Sequence, residues 1–149
     1  PRKLPKDALL TEILQKVSSA KTKKEKVDLL QEYNSQGLRS LLIINFDDSL
    51  EFLLPEGEVP FTPNDAPAGT EHTRLTQEYR GLYRFFKGGD ASIKGMRREQ
   101  LFVQLLEGLH ADEANMLVSA CNQDLQSKYR ITKAVVAEAF PQIEWGNRG

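Results

Sequence analysis

Apolar positions recur along the chain with the spacing of helices rather than of strands. Apolar side chains stand three or four positions apart, the period of one helix face, in residues 6–19, 27–33, 38–46, 75–86, 102–109, 114–121 and 135–140. No stretch alternates apolar and polar residues in a way that pairs two strands. The pattern predicts an all-α protein of seven or eight helices in one domain that spans residues 1–149.

Capping residues indicate where several of these helices begin and end. Thr22 and Glu25 have the form of a capping box, and Thr132 is placed to cap a last short helix. Gly37 is placed to end the second helix in a left-handed turn. Residues 41–44 alone could also form a buried strand.

The clearest helical stripe runs from Leu75 through Tyr79, Leu82 and Tyr83 to Phe86. Residues on shared apolar faces are expected to be buried. The core predicted in this way contains Leu82, Phe86, Phe102, Leu105, Leu106, Leu117 and Phe140.

Residues 55–70 contain too many prolines and glycines for a regular helix. Because long loops in compact domains are often functional, we expect an ordered, extended, protein-docking segment over residues 55–73. Its candidate docking residues are Val59, Phe61, Asp65, Glu71 and His72. The alternative is that the two apolar residues fold back onto the chain's own core.

The net charge of the 149-residue chain is only −1, but the charges are unevenly distributed. Residues 1–40 carry nine basic and five acidic groups, whereas residues 41–73 carry seven acidic groups and no lysine or arginine. Residues 74–98 carry seven basic and two acidic groups, and residues 99–149 carry four and seven. This alternation could present oppositely charged surfaces to a partner.

Motifs for the common catalytic and metal-binding chemistries are missing. His72 and His110 are far apart and have no cysteine pair beside them, whereas zinc needs about four close ligands. Cys121 is the single cysteine, so no internal disulfide forms, and its apolar face indicates an inert core thiol. We expect no enzyme activity, metal, cofactor or small-molecule substrate. No apolar run reaches the ~18 residues that cross a bilayer, so we expect no membrane partner and no secretion.

Two basic clusters stand beside predicted helix starts. Exposed lysine and arginine side chains near helix amides can hold DNA phosphates, and the alternative is a solvated surface. The candidate nucleic-acid-binding residues are Lys21, Lys23, Lys24, Lys128, Arg130 and Lys133.

Motifs along nearly the whole chain resemble a family of uncharacterised proteins from contractile-tailed phages, including marine cyanophages. The resemblance implies a phage origin and gives no activity. The stretches that carry it are residues 20–23, 38–43, 63–67, 69–73, 87–89, 97–99, 102–109 and 129–141.

A second resemblance concerns layout only. The helices and caps of residues 9–45 and 98–143 are similar to the helical N-terminal DNA-binding domain of phage ATP-dependent DNA ligases. The K-x-D-G nucleotidyltransferase motif of those ligases is absent, so their activity does not carry over.

Two functions remain. The sequence favours a non-enzymatic, virion-associated phage component that binds other phage proteins, located in the virion or the host cytoplasm. The alternative is a non-catalytic accessory protein that binds double-stranded DNA.

Overall fold

The protein is built from short helices, and the all-α prediction is confirmed. The structure is a computed structural model that describes residues 9–53, 75–87, 92–143 and 145–146. Within these ranges there are seven α-helices and no strand; Phe52 and Phe86 form an isolated bridge. The α-helices are α1 (Leu10–Ser19), α2 (Lys23–Glu32), α3 (Gln36–Phe46), α4 (Leu75–Glu78), α5 (Gly95–Gly108), α6 (Ala111–Cys121) and α7 (Lys133–Ala139), and two 3₁₀ helices span Tyr79–Phe85 and Leu125–Ser127. The predicted loop at 55–70 lies outside the described residues.

Hydroxyl side chains cap three of the helices. Thr22 Oγ1 accepts a hydrogen bond from the Glu25 amide at 3.2 Å, and Thr132 caps α7 in the same way. The predicted capping box is only half formed, because the Glu25 carboxylate accepts from the Lys21 amide and not from that of Thr22. Ser35 caps α3, which sequence reasoning did not anticipate.

The expectation that Gly37 ends the second helix is wrong. α2 already ends at Glu32, and Gly37 is a buried residue in the first turn of α3. A Cβ atom at this position would lie 3.0 Å from Cα of Thr76 and 3.2 Å from the Leu75 carbonyl oxygen. The absence of a side chain at Gly37 therefore allows α3 and α4 to pack closely against each other.

The stripe at residues 75–86 is not one α-helix. After a single α-helical turn the chain continues as the Tyr79–Phe85 3₁₀ helix, in which residues three apart lie above one another. Leu82 and Phe85 therefore share the buried side, whereas 54% of the Tyr83 surface is exposed. The prediction that placed Tyr83 in the apolar stripe assumed the α-helical period.

Six of the seven predicted core residues are buried, and Leu105 is half-buried at the edge of the core. α6 packs against α1, α3 and α5, and α2 packs against α1 and α7. The Phe102 ring lies 5.0 Å from that of Phe85 and 5.4 Å from that of Phe52, both edge to face, an arrangement that aromatic rings favour.

A buried carboxylate joins the starts of three helices. Glu113, in the first turn of α6, is fully buried. One of its oxygens accepts from the Leu10 amide at 3.0 Å and the other from the Leu75 amide at 3.1 Å. Leu10 and Leu75 are the first residues of α1 and α4, whose leading amides have no acceptor within their own helices.

We expect Glu113→Ala to lower the free energy of unfolding by about 3 kcal/mol, because two buried amides lose their acceptor. Glu113→Gln should cost less, since its one amide oxygen can still accept from one of them. Chemical denaturation measures both values. Asp112→Ala is the control; it changes an exposed neighbour in the same helical turn and should cost less than about 1 kcal/mol. Equal costs at both positions would contradict the bridging role.

Gly37→Ala and Gly95→Ala should have opposite effects on stability. Helix propensity alone favours alanine over glycine by up to about 1 kcal/mol. At Gly37 the added methyl group meets backbone atoms of α4, so we expect a net loss of about 1–3 kcal/mol. At Gly95 no atom lies within 4 Å of the place that the added methyl group would take, so a small gain is expected. Thermal melting of the two variants checks the signs.

Candidate nucleic-acid interface

Two basic clusters that are far apart in sequence meet on one surface. The Lys26 amine, in α2, donates a hydrogen bond to the Arg130 carbonyl oxygen at 2.6 Å. The Arg130 amide donates to Ser18 Oγ, near the end of α1, at 2.9 Å. The segment before α7 therefore lies against the junction of α1 and α2.

α2 and α7 run side by side in the same direction. The first turn of α2 is linked through Lys26 to Arg130, just before α7, and towards the ends of the two helices Gln31 Nε2 donates to the Ala139 carbonyl oxygen at 3.1 Å. Both helices consequently begin at the same end of the molecule. This places the lysines that precede and open α2 beside the basic residues that precede and open α7.

All six predicted nucleic-acid-binding residues belong to this surface, and all six are exposed. Lys26, which belongs to the same lysine-rich stretch as Lys21, Lys23 and Lys24 but is not one of the six, links the two clusters. The Lys133 amine lies 5.0 Å from the centre of the Trp145 ring, a cation–π distance. We call the surface the basic face; its residues are Lys21, Lys23, Lys24, Lys26, Lys128, Arg130 and Lys133.

An open cleft of about 430 Å³ lies within the basic face, between the end of α1 and the segment before α7. Burial, together with the negative charge of Asp112, raises the pKa of the Tyr129 phenol above its ordinary value, so its hydroxyl stays protonated at neutral pH. The sequence does not predict the cleft, because its two walls are far apart in the chain. The cleft is lined by Gln15, Ser18, Ser19, Lys128 and Tyr129.

The five predicted protein-docking residues, Val59, Phe61, Asp65, Glu71 and His72, lie outside the described residues. The docking role of residues 55–73 therefore stays a prediction.

An apolar groove of about 390 Å³ lies elsewhere, between α3 and the Tyr79–Phe85 3₁₀ helix. Ile43, Leu82 and Phe86 contribute to its walls, and the exposed Tyr83 stands at its side. The α-helical interpretation of residues 75–86 did not predict this groove, because it placed Tyr83 in the apolar stripe of one helix.

The described histidine and cysteine side chains, His110 and Cys121, have structural roles. His110 is the N-cap of α6, and its Nδ1 accepts from the Asp112 amide at 3.1 Å. Among the described residues, no group of three His, Cys, Asp or Glu side chains is arranged to hold a metal ion. In the same part of the chain, no helix is both long and apolar enough to cross a membrane. Cys121 is buried.

Comparison with models of known protein families shows which family the chain belongs to. Residues 13–127 match the model of a family of unknown function, DUF6433. The chain belongs to this family. The matched region of this DUF6433 member includes Lys21, Lys23, Lys24 and Lys26 and ends just before Lys128. Among curated proteins no match is found, and none is found among solved structures.

Cys121 should react very slowly with thiol reagents while the protein is folded. Burial raises the pKa of its thiol far above the ordinary value, and the thiolate is the reactive form. We expect labelling at least about 100-fold slower than in denaturant, where the chain is open. A Cys121→Ala variant that carries Gln104→Cys on the exposed side of α5 should label rapidly and serves as the control. Fast labelling of the folded wild-type protein would contradict the inert assignment.

Proposed function

We propose that this protein is a non-catalytic accessory protein that binds duplex DNA through the basic face. The observation that carries the proposal is the contact between Lys26 and Arg130. It joins cations from two stretches about 100 positions apart in sequence into one exposed surface. A solvated turn with scattered lysines would not require the two clusters to meet.

The side-chain chemistry of the face favours phosphate over base edges. Six of its seven cations are lysines, which act as point charges, whereas arginine offers a planar fork suited to reading guanine. The Lys26 amine is held by the Arg130 carbonyl oxygen, so the cations offered to phosphates are the other six. Phosphate contacts position a protein on DNA without reading sequence. We therefore propose binding that is nearly independent of sequence.

Nearby acidic residues reduce the positive charge of the face without cancelling it. Glu25 and Asp28 are exposed on α2, and the exposed Asp112 is close enough to Tyr129 for its charge to raise the pKa of that phenol. The Glu25 carboxylate accepts a hydrogen bond from the main-chain amide of Lys21, so this contact does not engage the lysine amine, which can reach a phosphate. The seven cations of the face still outnumber these carboxylates.

The resemblance in layout supports DNA over other polyanions. The two regions similar to ligase DNA-binding domains, residues 9–45 and 98–143, contain every cation of the basic face. The resemblance to contractile-tailed phage proteins favours phage DNA. The virion docking role of residues 55–73, which lie outside the described residues, stays a prediction.

We expect the affinity for a short duplex to fall steeply with salt. If about 3–5 phosphates are neutralised together, the slope of log K against log salt is about −3 to −4. Fluorescence anisotropy of labelled duplexes with unrelated sequences, measured over a range of NaCl concentrations, gives the slope and the sequence dependence. A flat salt response, or no binding at low salt, would remove DNA from consideration.

Neutralising the α7 side of the face should weaken this binding selectively. In the triple variant Lys128→Gln, Arg130→Gln, Lys133→Gln we expect at least about a tenfold loss of affinity and a slope less steep by about one for each phosphate that the variant no longer neutralises. The fold should survive, because Lys26 and Ser18 contact main-chain atoms of Arg130.

A matched triple variant separates a local site from a general charge effect. Arg80→Gln, Lys94→Gln and Arg97→Gln change the net charge by the same amount on exposed positions outside the basic face. This control should keep nearly wild-type affinity and slope. Equal losses of affinity in both triple variants would contradict a defined DNA-binding surface.

A further inference from the structure

The cleft in the basic face has side chains unlike those of a simple phosphate-binding surface. Its lining combines one aromatic ring, one cation, one carboxamide and two hydroxyl groups, from Tyr129, Lys128, Gln15, Ser18 and Ser19. All five side chains can form hydrogen bonds. Its volume of about 430 Å³ is within the range of pockets that take small organic ligands.

We propose that this cleft binds one unpaired nucleotide of the DNA held on the basic face, with its base against the Tyr129 ring and its phosphate beside Lys128. The proposal rests on the DNA-binding role proposed above. It adds a preference for DNA in which a base is out of the helical stack, as at a bulge.

The two sides of the cleft suit the two ends of a nucleotide. On the α1 wall, Ser18 Oγ accepts from the Arg130 amide and Ser19 Oγ donates to the Gln15 carbonyl oxygen at 3.0 Å, so both hydroxyl groups are held in place beside the cleft. The Gln15 carboxamide can both donate to and accept from a base edge. Lys128 supplies positive charge on the opposite wall, and Lys21 follows α1 two residues after Ser19.

A paired base cannot enter the cleft without leaving the duplex. Extruding it costs stacking and pairing energy, and this cost is smallest for a base that is already unpaired. Stacking on an aromatic side chain favours any base, since each has a flat π-face. The cleft therefore distinguishes unpaired from paired nucleotides and not one base sequence from another.

The test compares a fully paired labelled duplex with the same duplex carrying one unpaired adenine. We expect the wild-type protein to bind the bulged DNA about tenfold more tightly, in the lower part of the range for base–aromatic stacking. Tyr129→Leu should lose this preference and keep its affinity for the paired duplex, whereas Tyr129→Phe should retain both. Equal affinity of the wild-type protein for the two DNAs overturns the cleft proposal and leaves duplex binding standing.

A second pair of variants covers the case in which Tyr129→Leu does not fold. Gln15 is exposed on α1, so Gln15→Glu should fold normally while it places a negative charge in the cleft. We expect it to reduce the preference for bulged DNA at least about threefold. Gln104→Glu makes the same change on exposed α5 and should keep the preference. If the preference persists undiminished in Gln15→Glu, it arises from the flexibility of the bulge and the proposal is wrong.

Titration with deoxyadenosine monophosphate tests whether the cleft binds a nucleotide within DNA or a free nucleotide. Binding of the free nucleotide should be weak, because it lacks the phosphate contacts of the rest of the basic face. Tight binding of the mononucleotide without a preference for bulged DNA would overturn the assignment in favour of a free-nucleotide site. Failure to bind either DNA would overturn the proposed function together with this inference.

Discussion

The buried carboxylate of Glu113 is the interaction on which the arrangement of the helices depends. A carboxylate removed from water is costly unless hydrogen bonds replace its hydration, and here the leading amides of α1 and α4 donate to it. Those amides in turn need an acceptor, because none exists within their own helices. The carboxylate accepts the hydrogen bonds that the two amides must donate, so α1 and α4 are both held at the start of α6.

The position of α1 connects this buried junction with the basic face. α1 begins at Leu10, against Glu113, and its ten residues reach about 15 Å to Ser18 and Ser19. There Ser18 accepts from the Arg130 amide, which fixes the segment before α7. One end of α1 is thus anchored in the core, and the other carries a wall of the cleft. The α1 wall of the proposed site therefore belongs to a helix whose start is held by a buried hydrogen bond.

The local spacing of apolar and capping residues predicts the helices. The features that it does not predict depend on contacts between residues that are far apart in sequence. Apolar period and hydroxyl caps are properties of a few neighbouring residues, so α1, α2, α5, α6 and α7 lie near their predicted positions. The roles of Gly37 and Tyr83 differ from prediction because they depend on the approach of α4 and on a change to 3₁₀ geometry. The six cations can be named from charge and predicted exposure, but their meeting depends on the parallel packing of α2 and α7. The residue that links them, Lys26, and the cleft beside Tyr129 follow from that packing alone.

The nearly neutral net charge does not weigh against DNA binding as strongly as composition suggests. At physiological ionic strength charges are screened over about 8 Å, so a phosphate beside Lys128 responds to the charges close to it and little to acidic groups more than that distance away. The acidic block at 41–73 still has a physical role in the proposal. Like-charge repulsion disfavours approach of DNA to that stretch. The uneven charge distribution therefore opposes binding of DNA through residues 41–73, although the net charge of the chain attracts no polyanion.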